Sequence, residues 1–121
     1  MTTTPKPRPI LLDPDGLKRL RASIAHWKRL ASGKRRKGED CFADHCALCK
    51  RWAASGCATS PEDACPVYQA TGHTLCACTP YAAAARASYG PDGFDSSAFR
   101  AAAAAELAFL RDLLARAKEK P

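Results

Sequence analysis

Large side chains are scarce in this chain, with four Phe, three Tyr, two Trp and one Met among 121 residues. Much of the apolar content is alanine, which buries little area per residue. At ~25 cal/mol per Å² of apolar surface removed from water, a core built from it stabilises weakly. Small domains in that position draw on disulfides, a metal or a partner subunit. No run approaches the ~20 apolar residues that span a bilayer, which argues against a membrane partner. Met1 to Pro9 carries no apolar core of the secretory kind, so the expected setting is a reducing cytoplasm. No phosphate-binding glycine loop, catalytic triad pattern or HExxH occurs, and Asp and Glu do not pair suggestively. The expectation is therefore a non-enzyme, with no small-molecule substrate indicated.

Cysteine is what the chain has in excess. Seven are present, an odd number that fits poorly with a closed disulfide framework and better with metal binding in a reducing compartment. Cys46-Ala47-Leu48-Cys49 is a CxxC pair, a spacing that lets two thiolates face one ion from a tight turn. Structural zinc is expected on Cys46, Cys49, Cys65 and Cys76, with Cys41, Cys57, Cys78, His45 and His73 as alternate ligands. An iron–sulfur cluster is the second reading. Cys41, Cys46 and Cys49 fit a C-x4-C-x2-C spacing, although Phe42 to His45 is not the small, glycine-rich loop such a cluster prefers. Free or disulfide-bonded cysteines, or a redox pair at the CxxC, are further readings. A nucleophile made from Cys41 or Cys57 with a histidine is the weakest, because three His and seven Cys in a short chain meet that test by chance. His26, beside Trp27, reads as a surface residue.

The net charge of +7 is unevenly placed. Residues 1–40 hold eleven Lys/Arg and four Asp/Glu, residues 41–95 three and five, and residues 96–121 five and three. Lys18, Arg19, Arg21, Lys28 and Arg29, with Lys34, Arg35, Arg36 and Lys37 just beyond them, form the candidate surface for nucleic acid or an acidic protein. A solvated face with no partner is the competing expectation.

The fold expected is mostly α, with two long terminal helices packed together and an irregular, cysteine-rich, metal-stabilised segment between them. Residues 1–12 read as a flexible proline-rich arm and 13–121 as a single domain. Asp13 can cap and Pro14 suits the first turn of a helix over 14–32, where Leu17, Leu20, Ile24, Trp27 and Ala31 mark one apolar stripe. Gly33 ends that helix and a basic linker fills 33–40. The metal-binding segment covers 41–81, and Tyr81 to Ser88 can form a short helix. The last helix is expected over 95–119 from a cap at Asp95 or Ser96, with Phe99, Ala103, Leu107, Leu110, Leu114 and Ala117 on its apolar face. Phe109 and Leu113 widen that face.

Trp27, Cys46-Ala47-Leu48-Cys49, Cys65-Pro66-Val67-Tyr68, Thr71-Gly72, Cys76 and Thr79-Pro80-Tyr81 follow one another in an order that resembles a family of small, functionally uncharacterised, cysteine-rich bacteriophage and prophage proteins. The closing Glu106 to Leu110 segment is similar too. The resemblance covers roughly residues 20–115. It implies a phage origin and a host-cytoplasm setting, and no established activity. The family tends to carry a second CxxCP pair, whereas Glu62 stands at the first position of that pair here. Cys57 is then the candidate source of the missing thiolate.

Overall fold

The computed structural model describes residues 10–41, 46–52, 58–60, 63–71 and 79–120. Helix α1 runs Pro14–Ser32. Its start is set by Asp13, whose carboxylate accepts the Gly16 N–H at 2.7 Å, with Pro14 in the first turn where no backbone donor is needed. Its end is set by Gly33, which adopts φ +74°, a left-handed conformation that costs a side-chain-bearing residue strain. A β-carbon there would also stand 2.7 Å from the Arg100 guanidinium. Helix α5 runs Ser97–Arg116, and the Ser96 hydroxyl accepts the Phe99 N–H at 3.0 Å to cap it. Between them, the described residues form three short α-helices, α2 (Ala47–Trp52), α3 (Pro66–Thr71) and α4 (Tyr81–Ser88), and a 3-10 turn at Gly93–Asp95. The chain is mostly helical.

The core is one cluster fed by both long helices. Leu20, Trp27 and Leu30 of α1 and Phe99, Ala103, Leu110 and Leu113 of α5 are buried within it. Trp27 meets the Tyr81 ring edge-on at 6.1 Å, which ties α4 to α1, and Phe94 meets Phe99 in the same way at 5.0 Å. Ile24 and Leu114 are only partly buried and pack on the margin of the cluster.

Two short strands close the ends of the chain against each other. β1 (Ile10–Leu12) pairs in parallel with β4 (Ala117–Glu119), matching Ile10 to Ala117 and Leu12 to Glu119. The arm expected over 1–12 therefore gives way to a strand at Ile10, and the last helix stops at Arg116 rather than at 119. The reason lies in alternation. Ile10 and Leu12 are buried while Leu11 faces outward, so three residues place two apolar side chains in the core. Gln69 of α3 covers the other edge of β1, accepting the Leu11 N–H at 2.9 Å and donating to the Leu11 carbonyl at 2.8 Å. The expected cysteine-rich segment also holds a small antiparallel pair, β2 (Ala58–Ser60) with β3 (Asp63–Ala64).

Candidate functional site

Position 46 precedes the first turn of α2, and Cys49 lies on that turn. Spacing of three residues on a helix places both sulfurs on one side. The Cys49 N–H reaches the Cys46 sulfur at 3.4 Å. The Cys49 thiol hydrogen-bonds the Cys46 sulfur and favours its ionised form, burial opposes it, and the amides of Cys49 and Leu48 and the Ser23 hydroxyl add further donors. Together they hold the Cys46 thiol well below its ordinary range. This arrangement can present a thiolate, and with it a partner sulfur three residues on, to an ion or an electrophile.

Ion pairs fix α2 in place. Arg51 donates to Asp13 at 2.7 and 2.8 Å, to Asp15 at 3.0 Å and to Asp63 at 2.8 Å, and its guanidinium lies 4.2 Å over the Trp52 ring. Trp52 donates its indole N–H to Asp63 at 3.1 Å. Arg19 bridges from the other side, donating to Asp15 at 2.8 Å and to the Ala47 carbonyl at 2.9 Å. Three acidic groups and two arginines thus clamp the CxxC helix to the start of α1 and to β3.

A buried carboxyl belongs to the same neighbourhood. Glu106 of α5 is 2% exposed. Burial pushes it up to about 7, although the Thr79 hydroxyl and the Tyr81 N–H donate to it; negative charge at Cys46 adds to the rise. Its Oε2 has no hydrogen-bond partner among the described residues. Residues far apart in the sequence therefore meet here: Trp27 touches Tyr81, Thr79 and Tyr81 hold Glu106, and Glu106 senses Cys46.

A second cluster lies at the other end of α1. His26 is 4% exposed, not the surface residue its place beside Trp27 suggested. Its Nδ1–H donates to the Glu39 carboxylate at 2.5 Å. Arg29 donates to the same carboxylate from Nε at 3.1 Å and from Nη2 at 2.7 Å, and the Arg36 N–H adds a bond at 3.0 Å. Burial raises Glu39, but the Arg29 guanidinium, the Arg36 amide and His26 outweigh it and lower the group to about 2.

Among the other predicted ligands, Cys41 is buried in the core and burial pushes its thiol up. Cys65 is buried just before α3, where its carbonyl accepts the Gln69 N–H at 2.9 Å. Among the described residues no three His, Cys, Asp or Glu side chains converge on one point, so Cys46 and Cys49 come together and neither Cys41 nor Cys65 completes a trio with them. Cys57, Cys76, Cys78, His45 and His73 lie outside the described residues. Of the predicted basic surface, Arg19 and Arg29 are engaged in the contacts above. Arg35 donates to the Glu39 carbonyl at 2.7 Å and lies 4.8 Å over the Phe94 ring. Lys18, Arg21, Lys28, Lys34, Arg36 and Lys37 are exposed.

Sequence reasoning passed over Glu39, His26 and Glu106 as functional groups. A signal existed for two of them. His26 falls three residues after buried Ser23 and four before Leu30, and Glu106 three after Ala103 and four before Leu110, each on a core-facing helical register. Comparison with protein-family models, with curated proteins and with solved structures finds no match to this chain. Among the described residues no helix is long and apolar enough to cross a membrane.

Proposed function

We propose that this chain is a small cytoplasmic, phage-type binding module whose cysteine-rich segment is stabilised by zinc. Cys46 and Cys49 are its anchoring ligands, and its basic first third engages nucleic acid. The single observation that carries the reading is the CxxC turn itself, where the Cys49 N–H reaches the Cys46 sulfur at 3.4 Å and the Cys49 thiol, two amides and the Ser23 hydroxyl favour its ionised form. Amide donors that converge on the first sulfur of a CxxC turn stabilise a thiolate before and after it meets a cation. Cys76 is a proposed further ligand, and Cys65, which stands apart from Cys46 and Cys49 here, would have to move to join them. Zinc bound there would cross-link a segment with little apolar surface of its own, supplying folding free energy. The packing of the two long helices supplies the scaffold to which that segment attaches.

Elemental analysis of protein purified without added metal tests the reading. Zinc that is lost in a Cys46→Ser, Cys49→Ser variant supports it. Brown protein containing iron and acid-labile sulfide would transfer the same ligands to an iron–sulfur cluster, and metal-free, fully folded protein would end both readings. The partner surface is tested by titrating duplex and single-stranded DNA and RNA at two salt concentrations. The comparison is with a variant carrying Ser at Lys34, Arg35, Arg36 and Lys37. Binding should be sequence-tolerant and fall steeply with salt, because log K drops by about 0.9 per phosphate for each tenfold rise in salt. Identical curves for the two proteins would remove the linker from the surface, and a shallow slope with fixed stoichiometry would point to an acidic protein instead.

A further inference from the structure

The buried His26–Glu39 pair forms part of the wall of a cavity. Its volume is about 310 Å³, and it lies between the C-terminal half of α1, the basic loop after it and the start of α2. Arg29 stands beside the pair, and Arg36, Lys37 and Lys50 complete the charged lining. Among the described residues that line this cavity Glu39 is the single carboxylate. It is already matched by Arg29 and His26. The side chains of Arg36, Lys37 and Lys50 have no carboxylate partner among the described residues. Three exposed cations thus line a recess whose described carboxylate is already paired.

Small-molecule sites begin at roughly 300 Å³ and combine enclosing walls with a few convergent polar groups. A duplex backbone would need a continuous open track rather than a recess, and phosphate recognition by Arg and Lys is favoured where several cations meet one dianion. We propose that this cavity binds a phosphate monoester, the dianion meeting Arg36, Lys37 and Lys50 while the Arg29–Glu39–His26 cluster keeps the wall rigid. Arg29 is held by three contacts to Glu39, so it acts as a positioning residue and not as the principal anion ligand. A monoester of this kind can be a free mononucleotide or the 5′-phosphate of an oligonucleotide, which present the same group. The inference shares the basic third with the proposed nucleic-acid surface but stands on the recess between α1, the loop after it and α2, so either can fail while the other holds.

The experiment is an NMR titration of the full chain at low salt with adenosine monophosphate, and with adenosine as the control that lacks phosphate. Saturable shifts of the Ala22, Ala47 and Lys50 amides with the monophosphate alone are expected. A Lys37→Ser, Lys50→Ser variant should weaken the monophosphate at least about tenfold, since each exposed cation lost from a phosphate contact removes a charge-assisted bond. A Lys118→Ser, Lys120→Ser control, changed at positions outside the basic first third that do not line the cavity, should bind as the parent does. The source of the phosphate is read from an octanucleotide with and without a 5′-phosphate. Tighter binding of the phosphorylated oligomer than of the mononucleotide assigns the pocket to a nucleic-acid end. Equal or weaker binding assigns it to a free small phosphate. Equal shifts with adenosine, no saturation with the monophosphate, or equal loss in the two lysine variants would overturn the proposal.

Discussion

Glu39→Gln is the substitution that probes the interior electrostatics most sharply. The side chain of Glu39 is 6% exposed, and one carboxylate serves His26, Arg29 and the Arg36 amide. Its folded-state value of about 2 lies below the ordinary 4.5. At about 1.4 kcal/mol per unit, that depression corresponds to roughly 3 kcal/mol of stability for the ionised group. The Arg29 side chain is 26% exposed, so solvent screening draws the figure toward the low end of the ~3–5 kcal/mol seen when a buried ion pair loses one partner. Glutamine keeps the shape and removes the charge, leaving His26 and Arg29 facing a neutral amide. The sign follows from the depression. A lowered carboxyl contributes fully above pH 4.5, and that contribution is lost as pH falls toward 2. Urea unfolding followed by circular dichroism should therefore place the variant about 3 kcal/mol below the parent at pH 7, with the gap closing progressively between pH 4.5 and 2. Equal stability at pH 7, or a gap that does not change with pH, would refute the assignment of Glu39 as the charged hub.

Glu106→Gln should act in the opposite direction. Its carboxyl is pushed up to about 7, so the folded state holds the proton, and stability declines as pH rises from 4.5 to about 7. The variant should match the parent near pH 4 and exceed it by up to about 3 kcal/mol at pH 8, by the same linkage; a variant less stable than the parent at pH 8 would contradict the burial argument. Leu110→Ala should cost ~2–5 kcal/mol, because Leu110 is 2% exposed in the shared core and its removal leaves a cavity. A thermal or urea midpoint unchanged from the parent would place Leu110 outside that core.

Helix boundaries were legible where local chemistry sets them. Asp13-Pro14 and Gly33 bracket α1 at Pro14–Ser32, and Tyr81–Ser88 is helical as its composition suggests. The β1–β4 pairing was not legible, because three-residue strands at opposite ends of a chain carry no periodicity long enough to read and depend on a partner about a hundred residues away. Lys118 and Lys120 would suit the C-terminus of a helix running to 119, where cations are favoured, yet Ala117 is already extended at ψ 140°. For the candidate site, the CxxC spacing pointed to two sulfurs on one turn. The Ser23 hydroxyl beside Cys46 and the buried Glu106 that feels its charge did not follow from sequence, because they come from helices far away in the chain. The basic surface was read by counting charges, which cannot show that Arg19, Arg29 and Arg35 are occupied by internal partners while Arg36, Lys37 and Lys50 line a recess.

The zinc reading is tested most directly by measuring metal content and thermal unfolding on the same sample, before and after chelation. About one zinc per chain is expected, with a large drop in the unfolding temperature when a strong chelator removes it, reversed by adding zinc back. The Cys46→Ser, Cys49→Ser protein should resemble the chelated parent and not respond to either treatment. Protein that carries no metal and melts at one temperature with and without chelator would contradict the account.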